Sequence, residues 1–221
     1  MEKKVKPQRR YRSTKRAQQA AETQRQIVEA ARRLFVERGY AATTLAAIAA
    51  EAGVSEVTIY ATFGNKRALL SRLIDVSLVG DYEPIPVLNR KWLDVVRREP
   101  EQRQRLRLLA HVTRTLLERA GPIHAIIRNA AANDPEIAAL RLTHQEQRLV
   151  VQTEFARLLA AVGPLRADLT VEEAGERYWI LASPELHHIL TTERSWSQDQ
   201  YEAWLRDTLA TQLLPCDPTA D

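Results

Sequence analysis

The sequence predicts an all-α protein, with a small N-terminal three-helix domain ahead of a larger helical one. Three observations predict it. Alanine, leucine, glutamate and arginine dominate a chain that has 7 glycines among 221 residues, a composition of helices rather than sheets. Apolar residues between turn signals recur at the 3.6-residue spacing of one helix face, and no segment shows sustained period-2 alternation. The stretch DYEPIP (81–86), with two prolines, is the sharpest break in the chain. It separates a domain at 23–79 from one at 80–221, and residues 1–22 precede both as a basic, flexible arm.

The arm concentrates charge. Residues 1–16 carry Lys3, Lys4, Lys6, Arg9, Arg10, Arg12, Lys15 and Arg16 against Glu2 alone, while the remainder holds 24 basic and 27 acidic side chains. A cationic tail on a mildly acidic body points to a polyanionic partner. The first helix is expected from Thr23 to Arg38, where Ile27, Ala31, Leu34 and Phe35 form one stripe. Gly39 stands at its C-cap. Thr44 is a natural N-cap for a short helix at 45–52, with Leu45, Ile48 and Ala49 turned inward. Gly53 then suits a tight turn.

The next stretch, GVSEVTIYATFGNK (53–66), is rich in β-branched and aromatic residues, as a strand would be. A strand there lacks any partner, and an unpaired strand leaves its backbone unsatisfied. As a helix capped by Ser55, it places Ile59 and Phe63 on one face, Val57, Thr58 and Ala61 on the other, and Tyr60 and Thr62 on the flanks. The expectation is a helix of poor helix formers held by packing. Two short helices about a glycine turn, on a three-helix core, make a helix-turn-helix, whose second helix enters the DNA major groove. Asn65 caps a fourth helix that buries Leu69, Leu70, Leu73, Ile74 and Val76 and ends near Val79–Gly80.

The stretch TTLAAIAAEAGVSEVTIYATFGNKRALL (43–70) resembles the DNA-binding signature of the TetR family of bacterial transcriptional regulators. There a Thr opens the second helix, AGVS makes the turn, a Thr-Ile-Tyr-x-x-Phe pattern ends the recognition helix, and a Lys starts the fourth. The resemblance covers about 23–75 and implies DNA contacts from Thr44, Ser55, Val57, Thr58, Tyr60, Ala61, Thr62 and Lys66. Lys66 and Arg67 also sit at a helix N-terminus, where the macrodipole disfavours cations, so a phosphate is a candidate partner. Three residues depart from the family pattern: Glu56 replaces a frequent Lys or Arg, Val57 a Gly, and Ala61 an aromatic. The reading face is therefore lean, with apolar contacts for thymine methyls and one hydroxyl.

Beyond the prolines, helices are expected at 88–98, 101–120, 123–132, 135–162, 171–192 and 198–214. Gly121-Pro122 separates two of them, and Pro184 kinks or splits the fifth. The resemblance implies that this domain binds a small-molecule effector and forms a homodimer through its last two helices on a palindromic operator. Tyr201, Trp204, Leu205, Thr208, Leu209 and Gln212 form the candidate dimer stripe, or else a core stripe. Ligand candidates are Trp92, Tyr178 and Trp179 as cavity aromatics, His144 as a polar interruption of an apolar stripe, and His111 with Arg114 on one polar face. Ordinary core or solvated surface is the alternative for each.

No metal spacing, nucleophile triad, carboxylate dyad or phosphate-binding glycine loop occurs, so the expectation is a non-enzyme without a cofactor. One cysteine, Cys216, fits a reducing cytoplasm, and neither a membrane span nor a secretory signal is expected. If the basic arm tracks DNA, deletion of residues 1–16 weakens operator binding. It also flattens the salt dependence: the log–log slope falls by about 0.9 for every phosphate that the arm neutralises. A salt titration with an unchanged slope would count against the arm.

Overall fold

The computed structural model describes residues 8–215, with side chains from Arg16 onward. Among the described residues the secondary structure is wholly helical, and the chain divides into two compact units between Leu73 and Ile74. The division lies inside a helix rather than at the prolines, because a continuous helical run crosses it.

In the first unit, α1 (Gln8–Ala42) begins well ahead of Thr23. Part of the segment expected to be a flexible arm is therefore helical. Arg16 to Glu22 are mostly strong helix formers and extend the helix without an apolar stripe. Lys3, Lys4 and Lys6 lie outside the described residues. The helical path is interrupted at Gly39 (φ 79°). Helix α2 (Leu45–Ala52) starts at the Thr44 cap and ends on Gly53 in the left-handed region (φ 66°), a conformation that a side chain would strain. Helix α3 (Glu56–Phe63) follows its Ser55 cap, so the β-like stretch is a helix. Its buried residue, Ile59, joins a buried set with Ile27, Leu34, Phe35, Ile48, Leu69 and Leu70. Helix α4 (Lys66–Val79) begins with the Asn65 side chain accepting from Ala68 N at 2.8 Å.

The second unit starts in the last turns of α4. A 3₁₀ turn at Val87–Asn89 and α5 (Leu93–Arg98) replace the expected helix at 88–98. Helix α6 (Gln102–Ala131) runs through Pro122 unbroken, correcting the expected split. Gly121 lacks the Cβ that would crowd the proline ring, and Ala120, Ile123 and Ile127 are buried on both sides of it. Helix α7 (Pro135–Ala160) matches its expected span. Pro184 splits the next segment into α8 (Val171–Leu181) and α9 (Pro184–His188). Ser183 caps the new helix and Pro184 takes its first turn, where a missing N–H costs nothing. A π-turn (Ile189–Glu193) leads to α10 (Gln198–Leu213), opened by a Ser197–Gln200 capping box.

Helices α7 and α8 touch at backbone distance. A Cβ on Gly175 would lie 2.7 Å from Thr153 Cα, so only glycine permits this crossing. The core contains Leu106, Leu109, Phe155, Leu159, Tyr178, Tyr201, Leu205 and Leu209. Three members of the candidate dimer stripe, Tyr201, Leu205 and Leu209, are fully buried in their own chain. They serve the intramolecular core, which corrects the stripe as a dimer face.

Buried Arg105 ties the α5–α6 corner to α7. Its guanidinium donates to the carbonyls of Glu99 (2.8 Å), Leu158 (2.7 Å) and Arg97 (2.8 Å). Arg105→Ala strands these three acceptors and is expected to cost about 3 kcal/mol. Urea denaturation should show it as a lower midpoint with an unchanged slope.

Candidate nucleic-acid interface and cavity

Helix α3 presents a small outward face on a firm base. Val57 is 75% exposed and Tyr60 52%, with Ala61 and Thr62 exposed beside them. Ser55 Oγ accepts from Thr58 N (3.1 Å) and shares a hydrogen bond with Thr58 Oγ1 (2.8 Å). Thr62 Oγ1 donates to Thr58 O (2.7 Å). Of the three hydroxyl protons, two are spent locally and one of the Ser55–Thr58 pair remains for an outside acceptor. At the head of α2, Thr44 Oγ1 accepts from Ala47 N (3.1 Å). Its neighbour Thr43 is buried and donates to Gly39 O (2.8 Å). The two threonines thus divide the work of ending α1 and starting α2. Arg33 bonds Glu51 at 2.8 Å and ties α1 to α2.

Lys66 corrects its sequence reading. Its ammonium donates to Tyr40 O and Thr43 O, each at 2.9 Å, and lies 4.1 Å from the Tyr40 ring centroid. The cation that looked misplaced at the start of α4 satisfies carbonyls at the end of α1, where the dipole favours it. Its position is explained without a phosphate.

The second unit holds a cavity of about 450 Å³, with Ile74, Leu78, Leu117, Val151 and Phe155 in its apolar wall. Asp75, Thr113, His124, His144, Arg148 and Gln152 also line it. Burial, helped by the nearby Arg148 charge, lowers the His124 pKa to about 3. Burial also lowers His144, against the pull of Asp75. Both imidazoles are therefore uncharged at neutral pH. Arg148 is lowered by burial to about 10 and stays charged. It donates to Trp179 O (2.9 Å) and Ala182 O (3.2 Å) and stacks 4.8 Å from the Trp179 ring centroid. His144 Nε2 and Gln152 Oε1 are buried without a hydrogen-bond partner. A second cavity of about 350 Å³ is lined by Trp92, Val95, Leu108, His111 and Leu116, and Leu116 also borders the first.

Residues 27–73 match the family model for bacterial regulatory proteins of the tetR family. The first unit is a TetR-family DNA-binding domain. Over 58 residues the chain is 52% identical to the HTH-type transcriptional regulator TtgR of Pseudomonas putida, covering 26% of this chain and 28% of that protein. The match thus spans under a third of that relative's length. Two solved structures share the fold over most of the chain. A putative transcriptional regulator from Saccharomonospora viridis in complex with choline superposes with a TM-score of 0.64 at 22% identity, covering 88% of this chain and 99% of that one. NalD of Pseudomonas aeruginosa, the secondary repressor of the MexAB-OprM multidrug efflux pump, gives 0.63 at 20% identity, over 87% and 96%.

Within the TetR-family domain, Ser55, Val57, Thr58, Tyr60, Ala61 and Thr62 come together on or beside α3, and Thr44 caps the helix before it. The ligand candidates separate. His144 lines the larger cavity, and Trp92 with His111 the smaller. Arg114 instead bonds Glu202 (3.0 Å) and Glu118 (2.9 Å), tying α6 to α10. Tyr178 is core, sharing a hydrogen bond with Thr113 Oγ1 (2.9 Å) and meeting Phe155 edge-on. Trp179 donates to Gln145 O (3.1 Å) and clamps α8 on α7. Sequence reasoning missed Arg148 and Gln152. The signal was available, because they continue the His144 face at i+4 and i+8.

Cavity burial has a thermodynamic consequence. His124 has an ordinary value of 6.5 in an unfolded chain and about 3 in the folded one. As pH falls through that window the unfolded state takes up a proton that the folded state refuses, so stability is lost on acidification. Between about pH 7 and pH 5.5 the loss from this group is roughly 1 kcal/mol. Urea midpoints at the two values should diverge less in His124→Asn.

Proposed function

We propose that this chain is a ligand-responsive transcriptional regulator that binds a palindromic operator as a homodimer and represses until a small molecule releases it. The observation that carries the reading is the exposed face of α3, with Val57, Tyr60 and Ala61 outward on a capped helix anchored by buried Ile59. Val57 and Ala61 meet thymine methyls, and Tyr60 and the Ser55–Thr58 hydroxyl pair meet backbone phosphates. The apolar cavity of about 450 Å³ falls in the size range of small-molecule sites. Two further supports are NalD, itself a repressor, and the choline complex of the Saccharomonospora protein.

Release works through α4. Ile74, Asp75 and Leu78 border the cavity, and the same helix begins at Lys66, whose ammonium holds the end of α1. A molecule that displaces the last turns of α4 shifts the balance between binding and non-binding states of the first unit. Pairing of two chains uses the outward faces of α8 and α10, where Ile180 is 56% exposed.

Selection from random DNA duplexes should enrich a two-fold symmetric site. On the selected duplex, Val57→Ala should lose about fivefold in affinity and relax a thymine preference in each half-site. Tyr60→Ala should weaken all duplexes alike. No enrichment of any symmetric site, by the full chain at moderate salt, would overturn the reading.

A further inference from the structure

We infer that the larger cavity takes a molecule with an apolar body and a carboxylate head, the head set against Arg148 and His124. The inference rests on the effector role proposed above and names the chemical class of the effector. Two features of the lining point to it. The first is the charge of Arg148, which has no carboxylate at ion-pair distance among the described residues. Glu185, the acidic group acting on it, bonds Arg141 instead at 2.9 Å. Burial outweighs the pull of Glu185 and lowers Arg148 to about 10. Charges withdrawn from water are normally paired, so a guanidinium met by two carbonyls and a ring is short of one anion.

The second feature is His124, which borders the same cavity from α6. Its imidazole makes no hydrogen bond among the described residues. Neither ring nitrogen is sealed off, in contrast to His144 Nε2. A neutral imidazole keeps one N–H to donate, and a carboxylate oxygen is the stronger of its acceptors. The Arg148 charge is near enough to lower the His124 pKa, so the two cationic or donating groups belong to one end of the space. Two bonds to backbone carbonyls leave Arg148 further N–H groups to share with a ligand.

The remaining charges leave room for an anion there. Arg141 and Glu185 neutralise each other, so the surplus at this end is the single positive charge of Arg148. Asp75 also lines the cavity, but it is solvent-exposed, where water weakens its field. That field is felt at His144 and is not among those that shift His124 or Arg148. Away from the head the wall is Ile74, Leu78, Leu117, Val151 and Phe155, which suits an apolar body and offers a second polar group little.

Calorimetric titration of the intact protein with three probes of similar shape tests this: biphenyl-4-carboxylate, its carboxamide and the biphenyl-4-ylmethylammonium cation. The carboxylate should bind about tenfold tighter than the carboxamide, with the cation weakest. Arg148→Lys, which keeps the charge, should retain most of that lead, and Arg148→Gln should lose it. Arg148 also holds the end of α8, so both variants are first shown folded by circular dichroism melting. His124→Phe breaks no hydrogen bond of the protein and decides the matter if they do not fold: the lead should shrink about threefold. A carboxamide or cation that binds as tightly as the carboxylate would overturn the inference and leave an effector cavity in place. So would a lead unchanged in His124→Phe, or one that survives in a folded Arg148→Gln. A carboxylate that binds as expected but does not release the selected DNA duplex would uphold the ligand class and overturn the effector role. Binding by no member of the set would overturn the inference, while the DNA-binding reading still stands or falls on the selection of a symmetric duplex.

Discussion

Cationic side chains bound to backbone carbonyls hold this protein together where its helices stop. The last carbonyls of a helix have no partner within it, and a guanidinium or ammonium satisfies them while meeting the negative end of the dipole. Lys66 does this at the end of α1, and Arg148 where α8 gives way to α9. Arg105 does it at the α5–α6 corner. Arg90, also buried, donates to Ile85 O and Glu83 O and to Asp81 Oδ2, holding the proline-rich segment that brings Pro86 and Val87 to the cavity edge. The ties of Lys66 and Arg148, and that of Arg105 to Leu158, join residues distant in sequence, so a helix end is held by another element. A cation with this role is hard to replace, because without it a buried acceptor is left dry.

This constraint marks what could be read from the sequence. The bounds of α2 and α3 and the start of α4 were legible, since caps and turns are local chemistry: Thr44, Gly53, Ser55 and Asn65 announce them within a few residues. The β-rich composition of α3 was resolvable because Ile59 and Phe63 keep helical spacing. Lys66 was not legible in the same way. Its position looked electrostatically wrong only because the carbonyls it serves belong to Tyr40 and Thr43, 26 and 23 residues earlier. The Pro122 reading failed for a related reason. The cost of a helical proline is local, but the packing of Ala120, Ile123 and Ile127 that offsets it comes from other helices.

The candidate cavity was the least legible part. Aromatic residues drew attention, yet Tyr178 fills the core and Trp179 buttresses α8. The polar lining comes from α4, α6 and α7, and no single stretch of sequence shows that convergence. His144 was recognisable because it breaks an apolar stripe. Gln152 continues that face at i+8 and was overlooked, because a glutamine on a charged helix is easily taken for surface.

Leu116, a single side chain on α6, borders both cavities. A smaller residue there enlarges both spaces, and a larger one narrows both. The α3 face lies on another unit of the chain, so such a change leaves its residues untouched. Under the proposed function, the shape of the space open to a small molecule can thus change at a residue remote in sequence from the DNA-facing helix.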